Sequence, residues 1–531
     1  MRNKRIELIV LIFLILFQAL VSLQVLNRAE VVRAWDESHY LKNGLYFHKI
    51  IFDNSHKESV FTRLGELTKV QEHALDRPPV LFVLQAFGWR VLEAFNFRDE
   101  NMLIILVNTL FLFILGLSCY GIGLLLQGKK AGFLAAVLTL FMPLIYVYSR
   151  VMMTNLPLTA LLCLTVYILL KTDRFRSKFF SILLGVSLGI SQLTRETFIL
   201  FIAAPLFYYV YRSLRTRITK KIVCNLLISL GLAFLIAGVV FLNPASFYAY
   251  KKYLQLSQIS CINYGLFSYF ARWPSLTGYF ILISTLPLFI GSVFNIKKTD
   301  KILLLWFLVP FAIFTIFPNK SLRFIMPVLP AYALLVSCRL FKSNLKLFFK
   351  NFYFAAIIFF CLLQYIFIHY LPQATFISPS KEYAFGVKNM HVSDKYFPAH
   401  QDLLAVFKYE AIQGREGKVL PLFGVGQIYY PLVYKFLINK LPFRPYFTIE
   451  SDVVDALEPG SINWEYHLLD SDYLIEKVGG DLGVRGSRED VRGKLKAAFL
   501  KHKTRFEVIA KVAVPEDNSF LVVFRNKASQ K

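Results

Sequence analysis

The sequence predicts a mainly α, polytopic membrane protein of about eleven spanning helices, followed by a small C-terminal α/β domain. Three observations carry this reading. Hydrophobic residues make up 56% of the 531-residue chain and aromatics 16%, beyond what soluble globular chains show. Apolar stretches alternate with connections, and every second connection is short and basic. After about residue 371 charged residues become frequent and no spanning run remains.

A helix rises about 1.5 Å per residue, so about 20 apolar residues cross a bilayer. The candidate spans are 7–26, 101–126, 131–148, 156–171, 179–194, 197–211, 222–242, 276–294, 302–317, 327–341 and 352–370. The first has the basic start of a signal peptide. Its apolar stretch is long and no small-residue cleavage site follows, so the expectation is a retained span.

Orientation follows from charge. Arg2/Lys4/Arg5, Lys129/Lys130, Lys171/Arg174/Arg176/Lys178 and Arg212/Arg215/Arg217/Lys220/Lys221 fall in alternate connections. Lys297/Lys298/Lys301 and Arg339/Lys342/Lys346/Lys350 continue the set. Such loops stay cytoplasmic. The expectation is a multi-pass protein of the plasma (inner) membrane, with a cytoplasmic N-terminus and an extracytoplasmic C-terminal domain. Topology accounts for much of the net charge of +26, so the basic balance does not point to nucleic acid. Six cysteines, at 119, 163, 224, 261, 338 and 361, show no paired spacing and suggest neither a disulfide framework nor a zinc site.

The domains expected are a membrane module over 1–371 and an outer domain over 372–531. The module includes an outer loop, 27–100, with amphipathic stretches at Tyr40–Phe52 and Val80–Phe97. In the second stretch Leu81, Leu84, Phe87, Val91, Leu92 and Phe95 recur near helical spacing. Both suit helices lying in the membrane interface, and Pro78-Pro79 suits the start of the second. In the outer domain, Lys418–Val425 and Tyr473–Val478 read as strands, and 427–439 and 489–502 as helices. Phe506–Val514 and Ser519–Arg525 read as a terminal hairpin. Gly424-x-Gly426 lacks the third glycine of a dinucleotide loop and reads as a plain turn.

The polar residues of interest fall on the side assigned outward. They are Asp36, Glu37 and His39; Asp76 and Arg77; Arg150 and Asn155; Arg195 and Glu196; Arg272; and Lys320 and Arg323. Carboxylates and fixed cations at a bilayer surface suit one kind of chemistry, in which cations hold a lipid phosphate while a carboxylate takes a proton from an incoming hydroxyl. Plainer roles remain open at this point. Asp36-Glu37 can be a solvated helix start, Asp76-Arg77 a local ion pair, Arg195-Glu196 a self-neutralising turn, and Lys320 and Arg323 snorkelling side chains. His39, His48, His56 and His73 share the first loop with carboxylates. A divalent metal is therefore open, although no tight ligand spacing is present.

Four segments resemble a known superfamily. They are Trp35-Asp36-Glu37-Ser38-His39-Tyr40, Asp76-Arg77-Pro78-Pro79, Leu193-Thr194-Arg195, and Lys320-Ser321-Leu322-Arg323-Phe324-Ile325-Met326-Pro327. Together they resemble the GT-C glycosyltransferases of the protein O-mannosyltransferase and lipid A aminoarabinose transferase type, over about residues 7–340. The resemblance implies a sugar donor on polyprenyl phosphate and inverting transfer on the outer face. It makes Asp36 the base, and Glu37 and Asp76 groups that orient the acceptor or base or hold a metal. Arg77, Arg195, Lys320 and Arg323 become the phosphate-binding set, with His39, Arg150 and Asn155 on the substrate. Implied acceptors are a protein hydroxyl, an envelope glycolipid or a surface polysaccharide, with membrane lipids around the site. One departure stands out: Asn155 occupies the turn where family members often carry aspartate, and an amide is neither a base nor a strong metal ligand. The competing reading is a transporter or flippase of lipid-linked saccharides, which predicts ionisable groups in mid-span and related halves; the sequence offers few of either.

Overall fold

Helices occupy each of the candidate spans. The computed structural model describes residues 3–28, 35–52, 78–97, 99–216, 218–242, 265–294, 301–317, 320–370, 397–415, 417–421, 443–445, 464–479, 497–514 and 518–530. Asp76, Arg77, His56, His73, the 427–439 helix and the Gly424-x-Gly426 turn lie outside these residues. Two units emerge: residues 1–28, 44–251 and 261–387 form the first, and 29–43, 252–260 and 388–531 the second.

Among the described residues of the first unit, five helices are long and apolar enough to cross a membrane: Ile6–Asn27, Glu100–Gln127, Lys220–Gly238, Leu322–Lys342 and Leu347–Phe367. Shorter apolar helices lie at Asn155–Lys171, Lys178–Gln192, Tyr279–Phe294 and Lys301–Ile316. Large apolar side chains face outward along them, among them Phe234, Phe294 and Phe348. Water would penalise that surface; hydrocarbon does not.

Small residues set the helix seams. Asp99 caps the Glu100–Gln127 helix by accepting from the Asn101 amide at 2.8 Å. The chain then reverses at Gly128, φ +98°, into the Lys129–Phe141 helix. Gly123 and Gly132 meet across this pair so closely that a Cβ on Gly123 would lie 2.5 Å from the Gly132 Cα. Without a hydrophobic drive between helices in lipid, such backbone proximity supplies the packing.

Two predicted spans are broken helices. The 131–148 stretch divides into Lys129–Phe141 and Pro143–Tyr148, because Pro143 has no N–H to continue the ladder and Met142 before it is extended. The 276–294 stretch divides at Gly278, φ +77°, where a Cβ would strike the Gln364 side chain. The predicted helix over Val80–Phe97 ends at Ala94, and the Tyr40–Phe52 stretch belongs to a helix that begins at Trp35. These two helices are joined by Phe47 on Phe82, Phe52 on Phe87, and the His48–Glu93 pair at 3.1 Å.

Among the described residues, the second unit holds a five-stranded sheet of order β2-β1-β3-β5-β4. β1 (Gly417–Pro421) runs parallel to β2 (Phe443–Pro445) and to β3 (Tyr473–Val478). β5 (Ser519–Asn526) is antiparallel to both β3 and β4 (Phe506–Val514), the expected hairpin. The Phe397–Ile412 helix places Ala399, Leu403 and Phe407, one turn apart, in a core with Val419, Tyr473, Ile475, Val512 and Leu521. Beside it, Arg525 bridges Glu410 and Glu507 at 3.0 and 2.5 Å, and the Tyr473 hydroxyl donates to Glu410 at 3.0 Å.

Candidate active site

Three turns at helix ends bring the predicted cations together. The first is the bend after Pro143–Tyr148, where Ser149–Thr154 lead into the Asn155–Lys171 helix. Asn108 pins this bend by donating to the carbonyls of Ser149 and Val151, both at 3.1 Å. Arg150 is buried within it: its Nε donates to Ser22 Oγ at 3.2 Å, and its guanidinium lies over the Tyr146 ring at 5.8 Å. Burial draws the Arg150 guanidinium below its ordinary value, opposed by Tyr365 and Tyr146.

The second turn is Leu193–Thr197, between the Lys178–Gln192 and Phe198–Thr216 helices. Local bonds close the turn, among them the Phe198 amide to the Arg195 carbonyl at 3.1 Å, and one bond comes from a distant segment. The Val80 amide donates to the Leu193 carbonyl at 3.2 Å, and Gln192 Nε2 donates to the Glu196 carbonyl at 3.1 Å. The first of these bonds joins the chain just after Asp76-Arg77-Pro78-Pro79 to the Leu193-Thr194-Arg195 turn. Arg195 and Glu196 are both buried there.

The third segment is Lys320–Ser321 and the 3-10 turn Leu322–Val328, which leads into the Leu329–Lys342 helix. Pro327 and Pro330 suit a tight entry rather than a continuous α-helix. Its carbonyls are claimed from elsewhere. Arg272 Nη1 donates to the Lys320 carbonyl at 3.2 Å, Tyr269 Oη to that of Ser321 at 3.1 Å, Asn155 Nδ2 to that of Arg323 at 2.9 Å, and Trp306 Nε1 to that of Pro327 at 3.0 Å. Lys320 is buried, and Arg323 approaches the Met153 sulfur at 3.8 Å. The guanidiniums of Arg195 and Arg323 both lie over the Phe324 ring, each 5.5 Å from its centroid.

Thus Asn155, Arg195, Arg272, Lys320 and Arg323 come from four separate stretches of chain and share one neighbourhood, with Arg150 on the adjoining bend. Asp36, Glu37 and His39 sit at the start of the Trp35–Phe52 helix, in the second unit; Glu37 is buried, and the Asp36 and His39 side chains lie outside the described residues, as do Asp76 and Arg77. Among the described residues, no three His, Cys, Asp or Glu side chains gather as a metal site. Phe324 and Tyr269 join the neighbourhood without having been read from sequence. Phe324 was within reach, since it follows Arg323 in the motif; Tyr269 carried no signal.

Chemically, the cluster offers planar guanidiniums and an ammonium at the ends of apolar helices. Groups of this kind can hold an anion, and planar guanidiniums suit phosphate or carboxylate oxygens.

Comparison with known proteins agrees with this architecture. Residues 76–241 match the family described as dolichyl-phosphate-mannose-protein mannosyltransferase. That span includes the Asp76-Arg77-Pro78-Pro79 segment, the Asn155 turn and the Arg195 turn. No curated protein matches the chain in sequence. Among solved structures, ArnT from Cupriavidus metallidurans bound to undecaprenyl phosphate is similar with a TM-score of 0.61 and 12% identity, covering 97% of each chain. The same protein in its apo state gives a TM-score of 0.59 at 13% identity, covering 99% of this chain and 98% of that one. The arabinofuranosyltransferase AftD from Mycobacteria gives 0.56 at 10% identity, covering 96% of this chain and 40% of AftD. The fold is that of the GT-C membrane glycosyltransferases.

Proposed function

We propose that this protein transfers a sugar from a polyprenyl-phosphate donor to an acceptor hydroxyl at the outer face of the plasma membrane, inverting the anomeric carbon. The observation that carries the reading is the meeting of the Arg195 and Arg323 guanidiniums at the Phe324 ring, on a segment that begins with the buried Lys320, in a chain with this fold. The short basic connections, every second one along the chain and all on one side, support the outward orientation of the site.

In the reaction, the acceptor oxygen attacks the anomeric carbon and the bond from that carbon to the phosphate oxygen breaks. Its electron pair stays on the phosphate, and the acceptor proton passes to Asp36. The products are the inverted glycoside and polyprenyl phosphate. The departing phosphate gains one negative charge as the bond breaks, so Arg77, Arg195, Lys320 and Arg323 hold the transition state more tightly than the donor. Glu37 and Asp76 orient the acceptor or the base, His39 contacts substrate, and Arg150 supports the bend beside the cations. The acceptor is a protein hydroxyl, an envelope glycolipid or a polysaccharide end.

The test uses the full chain in lipid with synthetic polyprenyl-phosphate sugars and an envelope extract as acceptor pool. Expected are release of polyprenyl phosphate and a product of inverted anomeric configuration by NMR. A retained configuration would exclude the single displacement, and movement of intact donor across the bilayer without release would identify a transporter.

A further inference from the structure

We propose that Phe324 and Asn155 are positioning residues that set Arg195 and Arg323 as a paired guanidinium clamp for one phosphate group. The proposal rests on the phosphate-transfer reading above. Arg195 and Arg323 lie on separate turns, and like charges so placed repel each other. One ring offsets that: both guanidiniums lie 5.5 Å from the Phe324 centroid, where the electron-rich face attracts each cation. A guanidinium held near a ring keeps its N–H donors, and the fork that carries them can still address a phosphate.

The ring and the backbone beside it are themselves held. Phe314 stacks on Phe324 with centroids 6.2 Å apart, and the Phe324 amide donates to the Ser321 carbonyl at 3.0 Å. Asn155 Nδ2 donates to the Arg323 carbonyl at 2.9 Å, tying the 3-10 turn to the first residue of the Asn155–Lys171 helix. Only a donor can serve there; a carboxylate would face the carbonyl as a second acceptor. This gives a physical reason for an amide where resemblance leads one to expect aspartate. In this chain the residue orders the phosphate site.

The test compares wild type, Phe324→Leu and Phe324→Tyr as full chains in lipid nanodiscs, with two readouts. The first is the rate of phenylglyoxal modification at Arg195 and Arg323, resolved by mass spectrometry. The second is the affinity for undecaprenyl phosphate. Losing the ring should speed modification at both arginines and weaken affinity about tenfold, while tyrosine, which keeps the ring, should stay within about twofold of wild type. Unchanged affinity in Phe324→Leu, even with a lower melting temperature, would overturn the clamp, as would Phe324→Tyr behaving like leucine. If wild type does not bind undecaprenyl phosphate at all, the functional reading falls. The modification rates then decide the clamp alone, and equal rates in wild type and Phe324→Leu overturn it.

Discussion

Replacing Gly123 by alanine tests the helix packing that carries the site. A Cβ at 123 would lie 2.5 Å from the Gly132 Cα and 2.8 Å from its nitrogen. Both obstacles are backbone atoms, so no rotamer change relieves them. Carbon atoms prefer separations of about 3.5–4.0 Å, so the two helices must part by about 1 Å. Overpacking of this kind costs about 1–3 kcal/mol, against about 0.8–1 kcal/mol gained from the better helix propensity of alanine. The net expectation is a loss of about 0–2 kcal/mol, set against a gain at a helix position with free space. Gly231, in the Lys220–Phe241 helix, supplies the control: its Cβ would meet nothing within 4 Å. There alanine should stabilise by about 0.5–1 kcal/mol. The assay is thermal unfolding of both variants in one detergent, followed by intrinsic fluorescence. A lower midpoint for Gly123→Ala and an equal or higher one for Gly231→Ala is expected. Two midpoints moving together, with Gly123→Ala as stable as Gly231→Ala, would refute the close approach of these helices.

Three further outcomes follow from individual contacts. Arg195→Lys keeps the charge and loses the planar fork over Phe324, so kcat/KM for a polyprenyl-phosphate sugar should fall about 10- to 100-fold; an unchanged value would mean that point charge suffices. Asn155→Asp removes the donor to the Arg323 carbonyl and should cost about tenfold in turnover, whereas a gain would mark position 155 as an acidic functional site. Hydrogen bonds from Lys501 and His502 hold Glu465 below its ordinary value, so its contribution to stability is present above the glutamate range and is lost as pH falls through the lowered value. The unfolding midpoints of wild type and Glu465→Gln should therefore differ near neutral pH and converge in acid, and a difference that grows on acidification would reverse the assignment.

The apolar stretches were legible because lipid tolerates little else: backbone bonds must close within the segment, so a long apolar run has one good solution. The break at Met142-Pro143 was also visible in principle, since proline signals it directly. The break at Gly278 was less so, because the Gln364 side chain packed against that glycine comes from a distant helix. In the second unit the hairpin was readable from its two strand-like runs, and β3 from its β-rich composition. The Phe397–Ile412 helix and the short strand β2 were not read. β2 exists as a strand only by pairing with β1, a long-range contact that a three-residue segment does not announce.

At the site, residue types were legible and partnerships were not. Arg195, Lys320 and Arg323 stand out as cations beside apolar runs. That Asn155 donates its amide to the Arg323 carbonyl, and that Arg195 and Arg323 share one ring, depends on three turns meeting in space.

The central claim is chemistry on a polyprenyl-phosphate sugar with Asp36 as the base. The most direct measurement is the rate of polyprenyl-phosphate release by wild type and Asp36→Asn in matched lipid, with donor and acceptor saturating. Removing a general base should slow turnover by about 10²- to 10⁴-fold while the donor still binds. Equal turnover in the two proteins would take Asp36 out of the reaction and contradict the account.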